Sequence, residues 1–235
     1  MKLKALTLAL GLGVFAFSSC DKKVDTNMAL NTTVDSVSYS IGASFGGNLL
    51  KNSLTEVNQD ALLAGLNAAL AQEDLRIEQQ AGGAIINKYI TELKTKAAEA
   101  NIAIGDKFLA ENKVKEGVVT TESGLQYKVI TKGEGAIPTK EQQVKVHYRG
   151  TTIDGKEFDS SYKRKEPATF LPSRVIPGWT EALQMMPVGS KWELYIPSGL
   201  AYGPRGAGAN IGPNSTLIFE VELLEIVEKA APAKK

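Results

Sequence analysis

The residues that could do chemistry crowd into the second half of the chain. The stretch VKVHYRGTTIDGKEFDSSY, residues 144–162, holds the only histidine among 235 residues. Histidine titrates near neutrality and is the commonest general base. Here, however, Val144, Val146 and Tyr148 alternate with Lys145, His147 and Arg149, the period of a half-buried strand. His147 therefore points with the charges toward water, and no nucleophile or orienting partner stands beside it. Glu157 and Asp159 would work as an acid–base pair only if both were buried or both faced water. Glu157 reads as a solvated hairpin residue, which leaves Asp159 without a carboxylate partner. The run GPRGAGANIGPNS has the glycines of a phosphate cradle, but it leads into a strand, Thr216 to Val227, and has prolines where a cradle needs a following helix. What remains is aromatic: Tyr148, Phe158, Trp179, Tyr202 and Phe219. Composition alone makes these an ordinary core. Yet Tyr148 and Tyr202 need hydrogen-bond partners if buried, and Trp179 opens a helix directly after Pro177-Gly178.

The elements that must position these residues divide the chain in two. DSVSYSIGASFGGNLLKN carries Val37, Ile41, Phe45 and Leu49 at helical intervals behind Asp35, an expected N-cap. NQDALLAGLNAALAQ offers Asn58 as a cap and Leu62, Leu63, Leu66 and Leu70 as one apolar face. A third helix is expected from near Asp74 to Asn112, with a stripe at Ile86, Ile90, Leu93, Ala97, Ala100 and Ile104 and polar residues outside it. Such a helix would hold two modules more than about 40 Å apart. So small a helical region buries little surface alone, which makes self-association the economical cover for Leu49, Leu66 and their neighbours. From Val118 the pattern turns to strands: LQYKVI, QVKVHYRG, KEFDSS, SKWELYI and STLIFEVELLEIV, with Asp154-Gly155 as a hairpin turn. One helical stretch, PGWTEALQMM, is expected to interrupt them, so the domain reads as antiparallel α+β with that helix on the sheet.

Charge and composition exclude several classes. A net charge of +1 offers no concentrated basic face for nucleic acid. One histidine and one cysteine cannot supply zinc's usual ligands, although an oxygen-ligated ion stays open; no cofactor is expected. The opening MKLKALTLALGLGVFAFSSCDKK has two lysines, an apolar run from Ala5 to Phe17 and small residues before Cys20, the order of a secretory signal. Its apolar run is shorter than the roughly 18 residues a membrane-spanning helix needs. Phe17-Ser18-Ser19-Cys20 resembles a bacterial lipobox, with Phe17 where leucine is usual. Lipidation at Cys20 is therefore expected, and several acyl chains would anchor the chain stably where one would not.

The strings VHYRGTTIDGKEFDSS, VIPGWTEALQMMPVGSKWELYIPSGLAYGPRGAG and NSTLIFEVELLEI resemble the FK506-binding (FKBP) class of peptidyl-prolyl cis-trans isomerases over about residues 118–229. SYSIGASFGGNLL, ALLAGLNAAL and FLAENKVKEGV resemble its Mip-like branch. The resemblance implies an α+β architecture: a helical dimerisation region and long connecting helix over 34–112, then an antiparallel sheet wrapped on one short helix over 118–229. A signal peptide, 1–20, a tether, 21–33, and a disordered tail, 230–235, flank these. It implies catalytic roles for Asp159, Tyr202 and Tyr148. A proline pocket would be built from Phe158, Val175, Ile176, Trp179, Ile211 and Phe219, with Trp179 as its floor and Arg164 near its rim. The Ile176 N–H and Tyr202 hydroxyl would hold substrate carbonyls. Ala168, Ala207 and Gly212-Pro213 stand where bulkier residues or two prolines are common, which implies a more open pocket. The implied partners are X-Pro segments of unfolded envelope proteins, FK506-like macrolides, a second copy of the chain, and a membrane through the lipid anchor; the implied location is the bacterial cell envelope, on the periplasmic side or at the outer membrane. The competing expectation is a non-enzymatic chaperone or surface-binding lipoprotein that uses the same pocket.

Overall fold

The computed structural model describes residues 25–52 and 54–227, so Cys20, the signal segment and the tail at 230–235 lie outside the described residues. Two compact units are distinguished, one ending at Ser44 and the other beginning at Phe45, and the division falls within the first helix.

That helix, α1, spans Thr33–Lys51. Its cap differs from the expectation at Asp35: Thr32 Oγ1 accepts from the Asp35 N–H (3.1 Å), and Asp35 Oδ2 accepts from the Thr32 N–H (2.9 Å). Thr32 is the cap and Asp35 reciprocates from inside the first turn, because a residue three positions on can reach back to the cap's own amide. The second helix, α2, spans Gln59–Leu70, with Asn58 accepting from the Ala61 N–H at 3.0 Å as expected. The third, α3, spans Gln79–Asn112 without interruption, a length of about 50 Å. It begins later than Asp74, since Leu75 and Ile77 lie in the connection from α2. Ile90 and Leu93 of the expected stripe are half-buried, while Ile86, Ala97, Ala100 and Ile104 are exposed. No helix of the described residues is long and apolar enough to cross a membrane.

The remaining chain forms an antiparallel sheet. Its strands are β1 (Val118–Thr120), β2 (Gln126–Thr131), β3 (Gln143–Thr152), β4 (Glu157–Ser160), β5 (Ala168–Phe170), β6 (Lys191–Ile196) and β7 (Leu217–Val227). The order is β1-β2-β6-β7-β3-β4, with β5 also on β3. Strict alternation puts Val144, Val146 and Tyr148 of β3 on the same face as Leu217, Phe219, Val221 and Leu223 of β7. That face buries its apolar set under α5 (Pro177–Leu183), which contributes Trp179, Ala182 and Leu183. Pro177 suits the first helical turn, where its missing N–H costs nothing. A Cβ on Gly178 would lie 2.6 Å from Ile196 Cγ2, so only glycine lets α5 sit this close to the sheet.

The expectation of one helical interruption is corrected by a further short helix, α4 (Ser161–Arg164), and by 3₁₀ turns at Pro172–Arg174, Ser198–Leu200 and Gly203–Arg205. Four residues are too few to show a helical period. The signal is local instead: the Ser160 hydroxyl accepts from the Lys163 N–H, and Lys165 closes the turn at φ +58.

Candidate active site

A cleft of about 690 Å³ opens at one end of the α5–sheet sandwich. Its base is the Trp179 indole, only 4% exposed. Three rings meet that indole nearly at right angles: Tyr148 at 5.3 Å, Phe219 at 5.3 Å and Phe170 at 5.5 Å between centroids. Edge-to-face packing of this kind is favourable because the positive edge of one ring meets the negative face of another. Phe158 stands against Phe219 in the same way, at 5.5 Å and 82°. Gly150 permits that pair, since a Cβ there would lie 2.7 Å from atoms of both rings.

Phe158 and Asp159 are neighbours on a strand, yet both line the cleft. The β3–β4 register explains this. Gly150 pairs with Asp159 and Thr151 with Glu157, which leaves Phe158 as the extra residue of a bulge. A bulge breaks the two-residue alternation and re-aims side chains.

Asp159 is held by a compact polar triangle. The Tyr148 hydroxyl donates to its Oδ2 at 2.5 Å, Arg164 Nη1 donates to its Oδ1 at 2.5 Å, and Arg164 Nη2 donates to the Tyr148 oxygen at 2.8 Å. The guanidinium also lies over the Tyr148 ring, 5.5 Å from its centroid. Burial works to raise the Asp159 pKa, but the hydrogen bonds from Tyr148 and Arg164 outweigh it and hold the carboxyl below its ordinary value. Burial, reinforced by Asp159, pushes the Tyr148 hydroxyl up. Burial and then the Asp159 charge do the same to Tyr202. At neutral pH the site thus holds one carboxylate and two protonated phenols.

Across the cleft, Tyr202 is 40% exposed and its hydroxyl has no hydrogen-bond partner among the described residues. The same holds for the backbone N–H of Ile176, which precedes α5 and whose carbonyl already accepts from Trp179 and Thr180. Two donors therefore face an apolar cleft unused. Val175, Ile176 and Ile211 complete the wall with Tyr202.

The structure brings together Tyr148, Phe158, Asp159, Val175, Ile176, Trp179, Tyr202, Ile211 and Phe219. Arg164 stands beside the cleft rather than in its lining, and from α4 it braces Asp159 and Tyr148. Asp159 has no carboxylate partner, as expected, its bonds going to Tyr148 and Arg164 instead, and Glu157 is partly covered rather than fully solvated. The latter's side chain is 17% exposed and bonds Arg149 Nε and Lys163 Nζ, both at 2.9 Å. His147 lies outside the cleft, half-buried rather than free in water. Its ring stacks on Tyr162 at 4.7 Å, and its Nδ1 meets Ser161 Oγ at 3.0 Å. Sequence reasoning missed Phe170, Arg174 and Gly208 in the lining. Phe170 is the end of a three-residue strand, too short for a period. Its pairing with Val144 is what places it.

Residues 134–224 match the family model described as FKBP-type peptidyl-prolyl cis-trans isomerase, and residues 34–129 match that of the domain amino terminal to FKBP-type peptidyl-prolyl isomerase. The chain is 46% identical to Outer membrane protein MIP of Legionella longbeachae, over 98% of this chain and all of that protein. It is 48% identical to the FKBP-type 22 kDa peptidyl-prolyl cis-trans isomerase of Escherichia coli (strain K12), over 86% of this chain and all of that one. Among solved structures, FkpA from Escherichia coli superposes with a TM-score of 0.62 at 36% identity, covering 84% of this chain and 98% of FkpA.

Proposed function

The chain belongs to the Mip-like branch of the FKBP-type peptidyl-prolyl cis-trans isomerase family, an enzyme class that assists protein folding, and on that premise we propose how its cleft works. The observation that carries the proposal is the Trp179 floor, walled by perpendicular rings and faced by two unused donors. A prolyl ring rests on the indole. The Ile176 N–H and the Tyr202 hydroxyl hold carbonyls of the substrate chain. Phe158, Val175, Ile211 and Phe219 exclude water around the twisting bond.

Such a site is sufficient because the reaction breaks no covalent bond. Rotation about X-Pro has a barrier of about 18–20 kcal/mol, set by loss of amide resonance. Uncatalysed interconversion takes about 10–100 s, so a turnover near 10 per second asks for about 10²–10³ of acceleration, or about 3–4 kcal/mol. Preorganised donors in a dry cleft supply energies of that order, provided they bind the twisted amide more strongly than the planar one. Asp159 has no proton to take up, since rotation about the bond transfers none, and its bonds from Tyr148 and Arg164 keep it ionised. It contributes a fixed negative charge that biases the field of the cleft. Tyr148 and Arg164 are positioning residues that hold that charge in place.

The substrates are X-Pro segments of unfolded proteins, and FK506-like macrolides compete for the cleft. The helical region over 34–112 associates with a second copy and the isomerase domain occupies 118–229; the exposed Val37, Ile41, Phe45, Leu63 and Leu66 support this. Cys20 carries the lipid anchor, and the protein works in the bacterial cell envelope, a location that the likeness to an outer membrane protein supports. Turnover of a series of X-Pro peptides, with and without FK506, tests the reading. Isomerisation inhibited by the macrolide is the expected result. Suppression of aggregation with no isomerisation would transfer the function to chaperoning alone.

A further inference from the structure

We propose that Asn101, on the long helix and outside the cleft, is a positioning residue that sets the cleft's outer wall. The proposal rests on the isomerase reading above. The wall in question is the loop 203–216, whose tip presents Ala207, Gly208 and Ile211 to the cleft. The tip is stiff in itself. Ala207 and Ile211 exchange backbone hydrogen bonds of 2.8 and 3.1 Å, and the Asn214 N–H closes onto the Gly203 carbonyl at 2.8 Å. Gly206, at φ +61, tolerates no side chain, because a Cβ would lie 2.3 Å from the Ile211 carbonyl oxygen. A unit this stiff moves as a body, so its position is decided at its base.

That base is tied to α3. Asn101 Nδ2 donates to the Pro213 carbonyl at 2.8 Å, two residues from Ile211. One turn further, a Cβ on Gly105 would lie 2.4 Å from Thr216 Oγ1, so helix and loop are in direct contact there. Packing beside these points is incomplete, because a cavity of about 350 Å³ lies there, lined by Asn101, Ile104, Gly212 and Ser215 and, across it, by Thr152 and Asp154. The side-chain amide therefore holds what packing leaves loose. α3 is itself fastened to the sheet at its end, where Asn112 Nδ2 donates to Gln126 Oε1 at 3.0 Å and Gln126 Nε2 donates to the Leu109 carbonyl at 2.9 Å. The helix and the cleft wall are thus parts of one frame, and a shift of α3 is transmitted to Ile211 through Asn101.

The test compares the mature chain with Asn101→Asp, which keeps the shape and loses the donor, and Asn101→Ala, which cannot unfold the helix because alanine is the better helix former. Losing one such bond is expected to raise KM for X-Pro peptides about three- to tenfold with kcat little changed. The backbone amide resonances of Ala207 and Ile211 should shift with it. A purely structural Asn101 would lower the melting temperature and leave both readouts where they were. Folded variants with unchanged KM and unchanged Ile211 resonances overturn the proposal. A wild-type chain without turnover would instead refute the isomerase reading, and the resonances would still decide whether the tether positions the loop.

Discussion

The sheet domain closes on itself and the helices α1 and α2 do not. In the first, Leu125, Val144, Val146, Met186, Ile196, Leu217, Val221 and Leu223 are wholly shielded from water. In the second, no residue of α1 or α2 is buried, and Ile41 is 65% exposed. Both regions have strongly patterned apolar residues. The difference is that a sheet folded over α5 covers its own face, whereas short helices present stripes that only further surface can cover. The lesson is that one chain carries its chemistry in a self-sufficient part and leaves its helical part unfinished. Chain association, not catalysis, is the function that unfinished surface predicts.

The largest effect expected from breaking this contrast is in the closed part. Trp179→Ala removes the ring on which three others pack and should destabilise the domain by about 3–5 kcal/mol, with activity lost, as read by chemical denaturation and peptide turnover. In the open part Phe45→Asp with Leu66→Asp should do the opposite. Sedimentation of the mature protein should show the dimer mass halved while turnover of a short X-Pro peptide is unchanged; a dimer that survives both changes would show that these faces are not the interface. Smaller, and confined to the cleft, Tyr202→Phe should cut kcat/KM about tenfold, the worth of roughly one hydrogen bond of 1.4 kcal/mol, with the melting temperature unmoved. The pH profile sharpens the same point. Because the folded Asp159 pKa lies below its ordinary 3.8, the stability its ionised form contributes is complete above 3.8 and lost only as pH falls through the lowered value. Activity measured downward from neutrality should therefore stay level to that point, and a fall near pH 6 would point to another group. The smallest effect is in α2: Asn58→Ala should cost that helix about 1 kcal/mol, visible as lower helicity on heating, and leave turnover untouched.

Much of this was legible before any coordinates. The alternation of Val144, Val146 and Tyr148 with Lys145, His147 and Arg149 assigns faces correctly, because a strand's side chains have a period of two whatever surrounds them. Asn58 was readable for a similar reason, a cap being a contact three residues long. The five aromatic residues singled out by type, with four more that the resemblance implied, gather around one opening. Illegible were the features that depend on partners distant in sequence. Phe170 joins the cleft through its pairing with Val144. Glu157 is partly covered because Lys163 and Arg149 meet it. Arg164 turns to Asp159 because α4, too short to show a period, folds directly after β4.

By itself the sequence determined which residues face inward and where helices give way to strands, since both follow from periods written along the chain. Only the tertiary structure decided how Phe158 and Asp159, consecutive on a strand, come to share one cleft through a bulge, and that a helix residue at 101 reaches a loop at 213. The physical reason is that a bulge and a long-range hydrogen bond are properties of two segments at once, and their pairing exists only after the chain has closed on itself.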